Sequence, residues 1–272
     1  MAMQPITLTS GMRANLVSLQ NTNSLLETTQ KRLASGKKVN SALDDPVAYF
    51  TSLAHEQRAA DLASRKDEMS EAVQTIKAAD AGVQSINTLI AAAKSLATSA
   101  LSADSTTADT LEAQFNTVLT QINEMAADSG YKGVNLLGGT SVSLTVKFDE
   151  TGASKLGITG FDASTSASGL DITTADWTSA TAIEASITEL DAAKDTLRTQ
   201  SSKLANNLGI ITARQEFTQG MINVLKDGAA SLTNADMNEE GANMLMLQTR
   251  QALGTTSLSL ASQAAQSVLR LF

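Results

Sequence analysis

A chain of 272 residues can bury a sizeable core, but 3% aromatic against 42% hydrophobic residues points to long, slim helices rather than a bulky globular interior. The absence of cysteine excludes disulfides and thiolate metal sites. A net charge of −8 argues against a duplex nucleic-acid binder, which needs a basic face to displace counterions from phosphates.

The opening MAMQPITLTSGMRANL has neither the basic region nor the apolar core of a cleavable signal, so any export is expected to use another route. Met12, Leu16, Leu19, Asn23, Leu26, Gln30 and Leu33 then recur at a 4-3-4-3-4-3 spacing, a heptad seam diluted by two polar members. Gly36 closes this first helix, and SGKKVNSALDDP makes a junction. Asp45-Pro46 reads as an N-cap with proline at the first helical position, opening a helix to about residue 100. Its seam is Met69, Val73, Ile76, Asp80, Val83, Asn87 and Ile90.

Residues Ala103 to Asp109 read as a Ser/Thr/Asp loop. The helix behind it puts Leu111, Phe115, Val118, Ile122 and Met125 on one face. DSGYKGVNLLGGTS, with four glycines, breaks the helical period. Val142, Leu144, Val146 and Phe148 then alternate with polar residues, DETGAS turns, and Leu156 and Ile158 resume the alternation, predicting a β-hairpin at about 134–161. Nine Ser or Thr in residues 162–181 read as an exposed connection. A helix resumes at about Thr178, with Ile187, Leu190, Lys194, Leu197, Ser201, Leu204, Leu208 and Ile211 as its seam and a break at KDGAASLTNADM. The last helix, from about Met237, carries Gly254, Leu258, Ala261, Ala265, Val268 and Phe272 at a 4-3-4-3-4 spacing.

The expected fold is mainly α, a long helical coiled-coil bundle with a small β-hairpin. Residues 1–43 and 229–272 pair as terminal helices, and 44–228 form the bundle with its hairpin.

Both ends are nearly free of charge. Arg13 is the one charged residue before Leu26, and the 19 residues from Gln251 to Leu269 have none. Nine of those 19 are Ser, Thr or Gln, too polar a run to span lipid. A two-helix coiled coil in water normally carries charged flanks. Small uncharged residues on every side suit a helix enclosed by other protein. One chain cannot surround its own terminal pair, so the expected partners are further copies of itself. Before assembly such ends bury too little apolar area to offset their ordering entropy.

Chemistry is sparse. His55 begins HEQRA, but Ala59 stands where a zinc-protease motif needs its second histidine. LLGGTS lacks the lysine and spacing of a phosphate loop. No cofactor, no nucleic-acid ligand, no membrane insertion and no enzymatic activity is expected. Asp44 and Asp45 read as capping residues rather than paired catalytic acids. Lys37 and Lys38 read as partners of acidic groups or as solvated.

LETTQKRLASGKKVNSALDDP at 26–46 resembles the N-terminal signature of bacterial flagellins. NMLMLQTRQALGTTSLSLASQAAQSVLRLF at 243–272 resembles their C-terminus, and YKGVNLLGG at 131–139 their turn into the hairpin. The resemblance implies a self-assembling subunit of the flagellar filament, secreted unfolded through the flagellar channel to an extracellular filament. The implied partners are the export machinery, an export chaperone, the cap and the hook-junction proteins. It also implies an assembly interface at Met12, Leu16, Leu19, Leu26, Leu33, Leu258, Ala261, Ala265, Val268 and Phe272. The inter-layer junction falls at Ser35, Gly36, Lys37, Lys38, Asn40, Asp44 and Asp45. About 35 residues, from 140 to about 177, separate the helical halves, leaving no room for large outer domains.

There are departures. Pro46 and VAYF follow the aspartates where many flagellins have small residues. In the patch that resembles the family's innate-receptor site, Ala92 and Gln114 stand where the motif has Arg and Glu, while Lys94 stays basic, which implies weak recognition. The alternatives are a hook–filament junction protein and a flagellin-like adhesin or glycan binder.

Overall fold

In a computed structural model of the chain, which describes residues 10–269, five helices and one hairpin follow in order: α1 Ser10–Ser35, α2 Pro46–Ala100, α3 Ser105–Asp128, β1 Ser143–Lys147, β2 Lys155–Thr159, α4 Ala180–Thr233 and α5 Met237–Leu269. They form two compact units, one from the chain up to Gln57 and from Leu225 onward, the other Arg58–Val224.

In the Arg58–Val224 unit, α2, α3 and α4 share a core centred on Met69, Ile76, Ile86, Phe115, Ile122, Leu190 and Leu197, all fully buried. The seams differ from the expected ones in their alternate members. Ala79, Ile86 and Ala193 are buried where Asp80, Asn87 and Lys194 had been expected. Asp80 and Lys194 sit on the rim instead, where the head group stays hydrated or paired, whereas Asn87 is half-buried and its Oδ1 has no hydrogen-bond partner among the described residues. Asp80, for example, accepts a hydrogen bond from Ser201 Oγ at 3.0 Å.

The loop before α3 is shorter than expected. Asp104 caps the helix by accepting from Thr107 N at 2.8 Å, so helix begins at Ser105. The expected break at KDGAAS is also absent, and α4 runs through Gly228 to Thr233.

β1 and β2 pair antiparallel with Val146 opposite Leu156 and Leu144 opposite Ile158, placing Val146 and Ile158 in the core. The stretch after the hairpin is not simply an exposed connection. Phe161, Ala163, Leu170, Ile172, Ala175 and Trp177 are buried in the same core. Trp177 packs on Phe115 with ring centroids 5.0 Å apart, and its Nε1 donates to Ser186 Oγ at 3.1 Å. Neighbouring helices satisfy the backbone that a ladder would otherwise satisfy. Asn116 exchanges two bonds with Ala175, Glu112 accepts from Trp177 N at 2.7 Å and Glu189 from Thr173 N at 2.8 Å.

At Gly82 α2 is packed too closely for a side chain. A Cβ there would lie 2.1 Å from Ser129 Oγ and 2.7 Å from Leu137 Cδ1. Alanine gains about 1 kcal/mol of helix propensity, whereas overpacking a close-fitted core costs about 1–3 kcal/mol. Gly82→Ala is therefore expected to lower stability by about 1 kcal/mol or more, read as an earlier urea midpoint. An unchanged or later midpoint would contradict this packing.

Candidate functional site

The unit formed by the two ends of the chain is built at a backbone closure. Gly36, at φ +70°, ends α1 in the left-handed conformation and donates to Arg32 O at 2.8 Å. The reversed chain then meets the link between α4 and α5. Lys38 N and Val39 N both donate to Thr233 O, at 2.7 and 3.2 Å, and Ala235 N donates to Gly36 O at 3.0 Å. Lys37 pairs across to Asn234 through the backbone. The side chain of Lys37 is exposed; the Lys38 ammonium reaches Ser231 O at 3.5 Å.

Side chains finish the turn. Ser35 Oγ accepts from Lys37 N at 3.2 Å, and Asn40 Nδ2 donates to Lys37 O at 3.1 Å. One oxygen of Asp44 accepts from Asn40 N, Ser41 N and Ser41 Oγ, at 3.0, 2.9 and 3.1 Å. Asp45 accepts from Ala48 N at 3.0 Å, capping α2 ahead of Pro46. The two aspartates thus divide the work: Asp44 closes the loop and Asp45 starts the helix.

From this closure α1 and α5 run packed against each other. Arg32 donates to Glu240 at 2.9 Å, and the Glu240 side chain is only 8% exposed. Below the pair, Met12, Thr22, Thr29 and Leu247 are buried, and Leu19, Leu26, Leu33, Leu258 and Ala261 are half-buried. Thr22 and Thr29, not Asn23 and Gln30, take the alternate seam places. Asn23 lies at the rim and accepts from Gln251 Nε2 at 2.8 Å. Gly254 lets α1 come close, since a Cβ there would lie 3.1 Å from Leu19 Cδ1.

Leu16 is exposed, with Val17 and Leu25. On α5, Met246, Leu253 and Leu260 are exposed at seven-residue spacing, Leu253 by 65%. At about 100° per residue this row lies roughly 120° around the helix from the buried Glu240 and Leu247 and the half-buried Gly254. Ala265 and Val268 belong to α5 by their backbone, and Phe272 lies outside the described residues.

Comparison with known proteins decides the family. The model of the bacterial flagellin N-terminal helical region matches residues 8–142, and that of the C-terminal helical region matches 180–272. The chain belongs to the bacterial flagellin family. It is 30% identical to flagellin FljK of Caulobacter vibrioides over 100% of both chains, and 27% identical to a flagellin of Brucella melitensis over 99% of both. A crystal structure of Bacillus cereus flagellin aligns with TM-score 0.47 and 17% identity, covering 56% of this chain and 88% of that one. As a flagellin, the chain is a structural subunit of the flagellar filament.

The positions expected to correspond to the family's innate-receptor patch fall in the Arg58–Val224 unit. Ala92 on α2 and Gln114 on α3 are exposed, and Lys94 is half-buried in a salt bridge with Asp191 of α4. Among the described residues no cluster of His, Asp or Glu is suited to a metal ion, and no helix is long and apolar enough to cross a membrane.

The backbone amides of Asn40 and Ser41 hold the Asp44 carboxyl below its ordinary value of 3.8. Because the folded value is the lower one, the stabilisation is present above 3.8 and is lost as pH falls through the folded value. The Ser41 amide resonance should therefore titrate with a midpoint below 3.8 and stop responding in Asp44→Asn. A midpoint at or above that value would refute the closure by Asp44.

Proposed function

We propose that the α1–α5 pair is the element through which copies of this flagellin enclose one another, so that ordering of the terminal helices is completed by assembly. The supporting observation is the second apolar row of α5, Met246, Leu253 and Leu260, which the chain's own α1 leaves uncovered. Three large side chains at heptad spacing suit a further helix, and beyond Arg250, which lies between Met246 and Leu253, no charged side chain follows up to Leu269. Leu16 and Leu25 extend apolar surface beyond the seam on α1. The interface residues are Met12, Leu16, Leu19, Leu26, Leu33, Leu258, Ala261, Ala265, Val268 and Phe272.

On this reading residues 1–43 and 229–272 form the inner layer of the filament and 44–228 the layer around it. The closure at Ser35, Gly36, Lys37, Lys38, Asn40, Asp44 and Asp45 holds the link between them. Subunits travel unfolded through the flagellar export channel, with an export chaperone, and are added beneath a cap beyond the hook-junction proteins. The protein works by assembly and torque transmission, not by catalysis.

Deleting Gly254–Phe272 removes the Gly254–Leu19 contact, Leu260 of the second row, and the interface residues from Leu258 onward. The truncated protein is expected to keep the thermal transition of the Arg58–Val224 unit and to form no filaments by electron microscopy after seeding. In the full chain, helix content by circular dichroism should rise on polymerisation. Filaments from the truncated protein would overturn the proposal.

With Ala92 and Gln114 uncharged and Lys94 paired to Asp191, the receptor patch offers little free charge. A cell reporter assay should register weak activation compared with flagellins carrying Arg and Glu at those positions; potent activation would contradict it.

A further inference from the structure

Glu27 is the one acidic residue of α1, and Arg250 is the one basic residue of α5. Both are exposed, and among the described residues neither has an ion-pair partner. Their spacing from exposed apolar side chains is alike. Leu16 and Val17 lie eleven and ten residues before Glu27. Leu260 lies ten residues after Arg250. At 1.5 Å per residue, charge and apolar side chain are about 15 Å apart on each helix, in opposite chain directions.

The faces match as well. At about 100° per residue Leu16 and Glu27 lie roughly 80° and 100° around α1 from the half-buried Leu26, on the flank away from Leu25. The α5 row lies on the other flank of the pair, where Leu25, Thr28, Met246 and Arg250 line a groove of about 290 Å³. One flank therefore offers Leu16 and Glu27, and the other offers Arg250 and the Met246–Leu253–Leu260 row. Within the chain α1 and α5 run antiparallel, since Leu19 meets Gly254 while Arg32 meets Glu240. Copies that point the same way in a filament bring α1 of one to α5 of the next in that same antiparallel sense.

We propose that the Leu16–Glu27 flank of α1 in one copy lies along the Met246–Leu253–Leu260 row of α5 in the next, with Glu27 opposite Arg250 and Leu16 and Val17 opposite Leu260. In this register Ser24 faces Leu253, a small side chain against a large one. Lys31 falls opposite Met246 and lays its aliphatic stem there. Arg13 falls opposite Ala264, away from both charges. The contact joins two different flanks, so it passes from copy to copy. It rests on the filament reading and names the occupant of its α5 row.

The chain has no cysteine, which allows a direct test. In filaments of Ser24→Cys/Leu253→Cys, a short bismaleimide should produce a ladder of covalent multimers on a denaturing gel. Val17→Cys/Met246→Cys, about 21 Å out of register, should give none. Glu27→Arg and Arg250→Glu should each raise the critical concentration for polymerisation about fivefold or more, and the double exchange should return it to within about twofold of wild type. Both charge variants should leave the monomer's melting temperature unchanged, which separates lost docking from misfolding, and the cross-link leaves both charges in place. Wild-type protein that forms no filaments under any seeding condition would overturn the filament reading and this contact with it. Wild-type filaments with no ladder from Ser24→Cys/Leu253→Cys, with a ladder from the shifted pair, or with a double exchange that polymerises no better than its single parents, would overturn this contact alone. Leu253→Cys linking to dimers by itself, without a ladder from the double variant, would assign the row to a neighbouring α5 and overturn it likewise.

Discussion

Three backbone hydrogen bonds between residues 36–39 and 233–235 hold the two ends of the chain in register. They are the constraint on which the terminal pair depends. Two helices with so few charged flanks and such small residues have little means of selecting one register by side chains alone. The Gly36 reversal and the link at Asn234 fix where α1 and α5 begin relative to each other. From that point Arg32 meets the nearly buried Glu240, and Leu19 meets Gly254. An unpaired Glu240 carboxylate would be costly in that setting. A slip of α5 against α1 is therefore opposed at the closure, at the ion pair and at the glycine.

The sequence pattern made the number, order and approximate limits of the elements legible, because Gly36, Asp45-Pro46, Asp104 and the hairpin alternation are local signals with local causes. Which side of each helix faces inward was less legible. At Asn23, Gln30, Asp80, Asn87 and Lys194 a heptad template accepted a polar residue as a diluted seam position. In the fold the preceding residue is buried instead: Thr22, Thr29, Ala79, Ile86 and Ala193. Ile86 apart, these are small side chains, which carry a weak hydropathy signal yet suit close helix contacts better than amides or charges, which need water or a partner.

The connection after the hairpin shows a different limit. Its Ser and Thr content suggests exposure, but Leu170, Ile172, Ala175 and Trp177 are spaced to reach the core between them. The groups that make this burial affordable are Glu112, Asn116 and Glu189, on helices distant in sequence. No window around residue 175 contains them. The closure at Lys38 and Thr233 was hidden for the same reason, since its donors and acceptor are backbone groups that any sequence carries. The junction residues could be named from their resemblance to a family, but the division of labour between Asp44 and Asp45 needed coordinates.

Glycine has opposite meanings along these helices. At Gly82 the space is already filled by Ser129 and Leu137, so the missing side chain is explained inside the subunit. At Gly209 and Gly220 the space is open, and the lost helix propensity has no return within the chain. The same contrast separates the buried face of α5 from its exposed heptad row. A helix whose apolar residues cover two faces 120° apart is under-satisfied as a monomer and suited to a lattice. For a filament subunit, bare apolar rows of this kind are what the proposed packing of identical neighbours would cover.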